Sequence, residues 1–220
     1  MNTHTRVRGR GVARAVAGTC LTGAAIAAAA PTAASAPTNT DSLTVNARHH
    51  VLAGERVRST GVLRSARSGQ TVLLQVSQGR GWKTVDRGRT AGGGRFAAYW
   101  TPKAVHHYGV RVRLADGSAT RSLKDGVTVY RRSAASWYGP GFYGHRTACG
   151  QTFRQGTLGV ANKHLRCGTK VALRYNGHTV IAPVIDRGPY SGNREYDLTA
   201  RTKQRLGFGS TGTVWSSPRS

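Results

Sequence analysis

The sequence is poor in acidic residues, and this limits where acid–base chemistry can occur. Of its 220 residues only 8 are Asp or Glu, whereas 33 are Lys or Arg, so the formal net charge is +25. Few carboxylates are therefore available as proton donors or acceptors, and each one is informative. The excess of cations favours an anionic partner.

The sequence also lacks a strongly apolar run of about 20 residues, the length that crosses a membrane as a helix. Four arginines lie within the first 14 residues, and an uncharged Ala/Gly-rich run follows over 15–30, ending near Ala34-Ser35-Ala36. This order is typical of a secretory signal peptide. We predict a signal peptide over 1–36 and a mature protein without a membrane span, secreted or associated with the cell wall.

Cysteine is scarce as well, with three residues in the chain. Cys20 lies in the predicted signal peptide, so the exported protein keeps Cys149 and Cys167, which we expect to form a disulfide. Closing that loop should stabilise the fold by about 3 kcal/mol. A metal site is the alternative, but no Cys or His pair at ligand spacing accompanies them.

Motifs for cofactors and nucleic acids are missing. The chain has no phosphate-binding loop, nucleophile elbow or metal-binding histidine pair, so no cofactor and no metal are predicted. It has no nucleic-acid-binding motif either, and an exported protein meets little nucleic acid. We predict a monomer whose partner is peptidoglycan glycan strands or another anionic cell-wall polymer.

Residues 41–131 alternate short apolar and polar segments with turn residues. About seven strands follow one another at this spacing, with turns at Gly92-Gly93-Gly94 and Ala115-Asp116-Gly117. This pattern favours an antiparallel β-sandwich. The segment is similar to the immunoglobulin-like modules of secreted bacterial proteins, and we predict a spacer or wall-binding role for it.

Residues 133–216 are predicted to form a second β domain after a linker at Arg131–Ala135. Two β-rich runs, 169–175 and 178–185, are separated by Asn176-Gly177, the strongest short-range hairpin signal. Further strands are predicted over 158–161 and 212–215. A single short helix is predicted over 198–206, with Asp197 or Thr199 as N-cap and Gly207 at its end.

Ordered motifs in this second domain carry a family resemblance. They are Ala135–Gly144 followed by Arg146–Gly150, then Leu158–Lys163, Cys167–Val171, Val184–Tyr190 and Arg194–Thr199. In this order they resemble the rare lipoprotein A (RlpA) type of double-psi β-barrel, and expansins share the last two in looser form. The resemblance covers roughly 134–215 and implies a six-stranded barrel with a surface groove for glycan.

The resemblance implies a peptidoglycan lytic transglycosylase with Asp186 as its catalytic acid. The alternative for Asp186 is structural, through pairing with Arg187 or bonding within its own turn. Asp197 matches an acidic position of the family, but N-capping of the helix would also explain it. Glu195, the third acid of this domain, is predicted to face solvent.

Asn162 departs from the family pattern, because many RlpA-like enzymes carry a histidine there. Asn can orient a sugar hydroxyl or the aspartate, but it cannot exchange a proton. His164, two residues on, is an alternative proton carrier. We include Asn162 with Asp186 and Asp197 as the candidate catalytic residues.

Five residues are candidates for glycan binding. Aromatic rings offer flat apolar faces for sugars, and polar side chains can contact hydroxyls or carboxylates. Trp137 and Tyr138 are adjacent on the opening strand, so only one of them can face the groove, and we favour Tyr138. The predicted contacts are Tyr138, Tyr143, Thr147, Arg187 and Tyr190.

Three functions stay open at this point. The first is a lytic transglycosylase that cleaves glycan strands and leaves 1,6-anhydro ends. The second is an expansin-like module that binds wall glycan without cleaving it, which Asn162 favours. The third is a secreted protease inhibitor, since a small disulfide-bonded barrel suits that role. The fold class predicted for all three is mainly β: a sandwich followed by a six-stranded barrel with one short helix.

Overall fold

The computed structural model describes residues 43–64 and 68–219, so the predicted signal peptide lies outside the described residues. In this part of the chain strands dominate and one α-helix, α1 (Ala200–Leu206), is present, which confirms the predicted all-β class. The strands are β1 (His50–Leu52), β2 (Val57–Val62), β3 (Thr71–Ser77), β4 (Lys83–Arg89), β5 (Arg95–Trp100), β6 (His107–Leu114), β7 (Thr120–Ser122), β8 (Val127–Tyr138), β9 (Val160–Ala161), β10 (Lys170–Tyr175), β11 (His178–Asp186), β12 (Tyr196–Thr199) and β13 (Thr211–Arg219).

The N-terminal half, 43–130, contains two sheets that share an apolar core. Strands β2 and β5 form one antiparallel pair, and β4, β3 and β6 form the centre of the other sheet, with β7 beside β6. Buried residues of both sheets, such as Val57, Leu74 and Val112, belong to one cluster. Before β1, Leu43 and Asn46 form isolated bridges with Leu63 and Thr60. The immunoglobulin-like topology stays a prediction.

The C-terminal half forms a closed ring of six strands. The order β12-β9-β11-β10-β13-β8 returns to its start because β8 also pairs with β12. Two of these pairings are parallel, β8 with β12 and β9 with β11, and the others are antiparallel. Apolar side chains including Val171, Leu173 and Leu198 fill the interior. Closure removes free sheet edges and gives the six-stranded barrel expected from the resemblance.

Strand β8 belongs to both halves of the molecule. Its first residues pair with β1 and β6, whereas residues 131–136 pair with β13 and 135–138 pair with β12. The predicted linker at Arg131–Ala135 is therefore wrong, because those residues lie in the middle of a 12-residue strand. Their polar character reflects exposure: Arg131 and Arg132 are both exposed, while Ser133 and Ala135 are buried.

The hairpin of β10 and β11 turns at Asn176-Gly177, as predicted. Both residues have positive φ, 44° and 86°, which is the conformation that Asn and Gly tolerate best in such turns. The pairing continues from Tyr175 and His178 to Lys170 and Pro183. This register carries β11 to its last residue, Asp186.

Helix α1 is shorter than predicted, because 196–199 form strand β12. Thr199 is its N-cap, since its side chain accepts a hydrogen bond from the Thr202 backbone N–H, and Gly207 ends the helix in the left-handed region. Lys203 and Arg205 lie in the last turn, where cations interact favourably with the helix dipole. No helix within the described residues is both long and apolar enough to span a bilayer.

Candidate functional site

Asp186 and Asp197 lie on opposite sides of one short strand. Asp186 of β11 pairs with Ala161 of β9, and Asp197 of β12 pairs with the same Ala161 from the other side. Ser136 of β8 pairs in turn with Asp197. Side chains of directly paired residues project to the same face of a sheet. Neighbouring strands are about 4.8 Å apart, so the backbones of the two aspartates, one on each side of β9, are separated by roughly 10 Å on this face.

Strand alternation explains why this face points away from the barrel core. On β12, Tyr196 and Leu198 are fully buried in the core, which turns Asp197 between them outward. The pairing of β11 shifts between Val184 and Asp186, and such an irregularity redirects a side chain locally. We call the surface formed by Ser136, Tyr138, Ala161, Asp186 and Asp197 the carboxylate face.

The Asp186 carboxylate is held by backbone groups. Its Oδ1 accepts hydrogen bonds from the backbone N–H of Ala148 and of Arg187, both at 2.8 Å. The bond to Arg187 is the within-turn contact expected of the structural alternative, whereas the Arg187 guanidinium makes no ion pair with Asp186. Both bonds use Oδ1, so neither of them occupies Oδ2.

Asp197 is not the helix cap, so the structural alternative offered for it is wrong. Thr199 performs that role. The Asp197 Oδ1 instead accepts a hydrogen bond from the Ser136 hydroxyl and lies 3.8 Å from the Arg194 Nε. Its side chain is 19% exposed. The carboxylate is therefore available at the surface and held in place by β8.

Tyr138 faces both carboxylates. Burial, and then the negative charges of Asp186 and Asp197, raise the pKa of the Tyr138 hydroxyl well above its usual value. The group thus stays protonated at physiological pH and can act as a hydrogen-bond donor toward the two acids. Trp137, the next residue back, packs against the barrel core under the Lys203 ammonium, as alternation along the strand requires.

An aromatic cluster covers one side of the carboxylate face. The Tyr138 ring stacks on Phe153 with centroids 4.7 Å apart, and Tyr143 contacts the same Phe153 at 5.2 Å. Phe153 is almost fully buried, whereas Phe142, edge-on to Tyr138, is 57% exposed. The cluster anchors the loop between β8 and β9 onto the barrel and presents Phe142 to solvent.

Asn162 and Arg187 hold a loop rather than reach into solvent. The Asn162 side chain accepts from the backbone N–H of His164 and Leu165 through Oδ1, and it donates to the Glu195 carbonyl. The Arg187 guanidinium donates to the carbonyls of Asn162 and Leu165 and to the Cys167 sulfur. Both side chains thus fix the chain between β9 and β10 beside Asp186.

The other predicted contacts differ in their exposure. Thr147, next to Ala148, is buried, and its hydroxyl has no hydrogen-bond partner among the described residues. Tyr143 is half-buried, whereas Tyr190 is 80% exposed, just after the turn that follows Asp186. Of the five residues predicted to bind glycan, Tyr190 therefore offers the most accessible ring.

Glu195 does not simply face solvent, so that prediction is wrong. Its carboxylate accepts hydrogen bonds from Arg131 and, at 2.7 Å, from the Ser133 hydroxyl. These contacts attach the start of β12 to the middle of β8. Of the three acids in the barrel half, Glu195 is used for this attachment, and Asp186 and Asp197 lie on the carboxylate face.

Cys149 and Cys167 are bonded, as predicted, with 5.6 Å between their Cα atoms. The bond joins the loop that supplies the Ala148 N–H to the loop that Arg187 holds. It therefore restrains the two loops on either side of Asp186. In residues 43–64 and 68–219, no group of three or more His, Cys, Asp or Glu is placed to hold a metal ion.

Three contributors to this site were not predicted. Phe153, the Ser136 hydroxyl and the Ala148 N–H all reach the carboxylate face from β8 or the loop after it. Ser136 and Ala148 lie within the family motifs but were not among the predicted site residues, and Phe153 lies outside those motifs. The Ser136 and Ala148 contacts join residues 61 and 38 positions apart, which local periodicity does not reveal.

Comparisons with known proteins agree with this geometry. A family model described as "Lytic transglycolase" matches residues 131–215. Curated relatives include a "Probable endolytic peptidoglycan transglycosylase RlpA" from Synechocystis sp., 38% identical over 59% of this chain and 39% of the relative. A protein of the same name from Aquifex aeolicus is 39% identical over 51% of this chain and 52% of the relative. The "Endolytic peptidoglycan transglycosylase RlpA" of Neisseria meningitidis is 40% identical over 48% and 49%.

The chain thus spans about half or less of the length of these curated relatives. Among solved structures, the Streptomyces papain inhibitor aligns with 41% of this chain and 94% of its own at 18% identity, with a TM-score of 0.34, which is too low to bear on fold or function. The family model and the closed six-stranded ring lie in the same half of the molecule. That half, residues 131–215, belongs to the RlpA-like double-psi β-barrel family.

Proposed function

We propose that this chain is an exported peptidoglycan lytic transglycosylase that cleaves glycan strands with Asp186 as its catalytic acid and base. The observation that carries the proposal is the Asp186 carboxyl at the end of β11, with Oδ1 held by two backbone N–H groups. Such a carboxyl is oriented without being neutralised by a cation. It suits a reaction that needs one group to give and then take a proton.

The proposed reaction has two proton transfers that balance. Protonated Asp186 gives its proton to the glycosidic oxygen as the bond from that oxygen to the anomeric carbon breaks. The resulting carboxylate then takes the proton of the sugar's 6-hydroxyl, whose oxygen bonds to the same anomeric carbon. The product carries a 1,6-anhydro ring, no water is consumed, and Asp186 ends protonated as it began.

Asp197 and Tyr138 support this reaction in the proposal. Asp197, on the opposite side of Ala161, places a second negative charge near the positive charge that develops on the sugar ring as the bond breaks. The Tyr138 hydroxyl is kept protonated by burial and by the two carboxylates, and it has no hydrogen-bond partner among the described residues, so it is free to donate to a bound sugar. A glycosidase that used water would instead need two carboxyls as acid and base or nucleophile.

Glycan contacts are assigned in the proposal by exposure. Tyr190 and Phe142 present rings to solvent, Phe142 in edge-on contact with Tyr138, and Tyr143 contacts Phe153. Asn162, Arg187 and Thr147 act as positioning residues, because their side chains are buried or bonded to loop backbone. On this assignment, Asn162 keeps the β9–β10 loop in place and takes no part in proton transfer.

The test is mass spectrometry of peptidoglycan after incubation with the exported chain. Intact and peptide-stripped glycan are digested with wild type, with Asp186→Asn and with Asp116→Asn, a turn aspartate of the N-terminal half. We expect 1,6-anhydro ends from wild type and Asp116→Asn. Asp186→Asn should lower the rate about 10²–10⁴-fold, because general acid–base catalysis is lost while Asn still accepts both backbone bonds.

Two other outcomes would replace the proposal. Ends that carry an added water molecule would identify a hydrolase. An absence of new ends from either glycan, together with binding of the chain to intact wall, would identify a module that binds glycan without cleaving it. That second function is supported by the presence of Asn at position 162. Among the described residues, no histidine forms a hydrogen bond with the Asp186 carboxylate.

A further inference from the structure

A second surface, remote in sequence from the barrel motifs, has the features of a ligand site. Three cavities of about 510, 540 and 540 Å³ follow one another across the N-terminal half and reach the barrel. The first two share Trp82, and the second and third share His107 and Arg219. We call this set of adjoining cavities the basic groove.

The charge of the basic groove is strongly one-sided. Its first cavity carries Arg80, Lys83 and Lys103, its second Arg219, and its third adds Arg48 and Arg174. Among the described lining residues the single acid is Asp125, in the third cavity. A concave surface with cations along its length concentrates anions, and a polymer with regularly spaced negative charges fits such a surface best.

Trp82 stands between the first two cavities and is held in a fixed orientation. It is 39% exposed, although large apolar side chains are usually buried. The Arg111 guanidinium lies 4.2 Å from the ring centroid, and the Arg111 Nε donates to the Gln75 Oε1 at 2.8 Å. Gln75 is itself buried and donates to the Thr84 hydroxyl. These contacts hold one face of the indole ring in place, and the exposed part of the ring lines the groove.

The first cavity adds further aromatic surface. Trp100 and Tyr108 line it, in edge-to-face contact with centroids 4.7 Å apart. Aromatic faces beside cationic side chains match a sugar ring that carries an acidic group, since the ring stacks and the acid pairs. Dimensions of about 500 Å³ per cavity suit one or two sugar units each.

We propose that the basic groove binds an acidic polysaccharide, with Trp82 stacking on a sugar ring and Lys83, Lys103 and Arg219 pairing with acidic groups along the chain. Single-stranded nucleic acid has related chemistry. The choice of a glycan rests on the proposed function of the barrel, which places the protein at the cell wall. The groove would hold a wall strand at a second point, apart from the carboxylate face.

The test measures binding by the full chain carrying Asp186→Asn, so that no cleavage occurs and loss of binding is distinct from loss of the proposed reaction. The probes are polygalacturonate, which has a carboxylate on each sugar, neutral dextran, a polyphosphate without sugars, and single-stranded DNA. We expect polygalacturonate to bind at least about tenfold more tightly than dextran.

Variants separate the groove from net charge. Lys83→Glu with Lys103→Glu should weaken polygalacturonate binding at least about tenfold, and Trp82→Ala about fivefold. The matched control is Arg87→Glu with Arg89→Glu, two exposed arginines on the same strand as Lys83 that line none of the three cavities. It should change binding less than about twofold.

Several results would overturn the proposal. Equal losses from the groove pair and the control pair would mean general attraction to a cationic surface. Polyphosphate binding as tight as that of polygalacturonate, with no effect of Trp82→Ala, would exclude stacking on sugar. Tighter binding of single-stranded DNA, with the same dependence on the variants, would identify a nucleic-acid site. The lysines are exposed, so their variants test the groove even if Trp82→Ala misfolds.

Discussion

The N-terminal half and the barrel half differ in how they use their few acids. In the N-terminal half, acidic side chains serve local structure: Asp86 accepts the Tyr99 N–H and Asp116 accepts from Ser118. In the barrel half, Asp186 and Asp197 are brought to one face by pairing with the same residue of β9. Carboxylates that serve turns could be exchanged for other polar residues, whereas those on the carboxylate face define the chemistry proposed for the barrel.

The halves also differ in how their sheets end. The barrel closes on itself and carries the disulfide, while the N-terminal half has two separate sheets and no disulfide among its described residues. A closed, cross-linked ring is suited to holding a carboxyl in a fixed position. The N-terminal half instead presents the basic groove. Strand β8 runs through both, and the following predictions test how far they behave as separate units.

The largest effect is expected from truncating the barrel core. Leu173→Ala should lower the free energy of unfolding by about 2–5 kcal/mol, because Leu173 is fully buried and its removal leaves a cavity. Hydrogen exchange, followed by mass spectrometry at rising urea concentrations, measures the opening of each half. If β8 couples the halves, both will open at the same urea concentration. Ile181→Ala, at an exposed site on β11, should cost less than about 1 kcal/mol. Earlier opening of barrel peptides alone would mean that the two halves unfold independently.

Removing the disulfide should act on the barrel half. Cys149→Ser with Cys167→Ser opens a link across 18 residues and should lower the free energy of unfolding by about 3 kcal/mol. Glycan cleavage should fall as well, because the loops on either side of Asp186 lose their connection. Urea unfolding of the variant and of reduced wild type should agree. An unchanged urea midpoint together with full activity would show that the loops are held by Arg187 and Ala148 alone.

Alkaline pH should destabilise the protein through the barrel half. Burial, and then the charge of Glu195, raises the pKa of Tyr196 to about 12. Since the folded state binds this proton more tightly than the unfolded state does, the stability is complete below pH 10. It is lost as pH rises toward 12, by about 2–3 kcal/mol. Tyr196→Phe should make the free energy of unfolding less dependent on pH in this window, and an unchanged slope would contradict the assignment.

Acidic pH should lower the free energy of unfolding through the N-terminal half. This is the smallest of the four predicted effects. Burial, and then nearby cations such as Arg174 and Arg219, lowers the pKa of His50 and of His107. The unfolded state therefore takes up protons first, so stability is complete above pH 6.5 and decreases below it. His50→Gln with His107→Gln should reduce the difference between urea midpoints at pH 7.5 and pH 5. His178→Gln, exposed in the barrel hairpin, serves as the control.

Local signals predicted much of the barrel fold. The Asn176-Gly177 turn fixed the β10–β11 hairpin, and Thr199 and Gly207 bounded α1, because each acts through its own backbone neighbours. The strand through 131–135 was not predicted, because its contacts are with residues that are distant in the sequence. Its polar side chains resemble a linker in sequence, and their partners, such as Glu195 and Ser216, lie more than 60 residues away.

The candidate site was predicted from the family motifs more than from periodicity. Asp186 and Asp197 lie in the two acidic motifs of the resemblance, and the structure brings them to one face through their pairing with β9. The disulfide followed from the count of cysteines. Whether Asp197 capped the helix or faced outward depended on which residue began α1, and the sequence did not decide between the two starting positions. Likewise, the bonds that occupy Asn162 and Arg187 come from a loop whose course depends on tertiary packing.

The continuity of β8 has a mechanical consequence. If the basic groove holds one wall strand while the carboxylate face holds another, tension between the strands enters the barrel through the axis of β8. Its hydrogen bonds to β13 and β12 run across that axis, so the load is shared by many bonds in shear rather than opening them one at a time. A flexible linker at 131–135 would pass tension to the barrel only after it had been pulled straight. On the proposed function, the continuous strand would let the barrel act on glycan that is under tension.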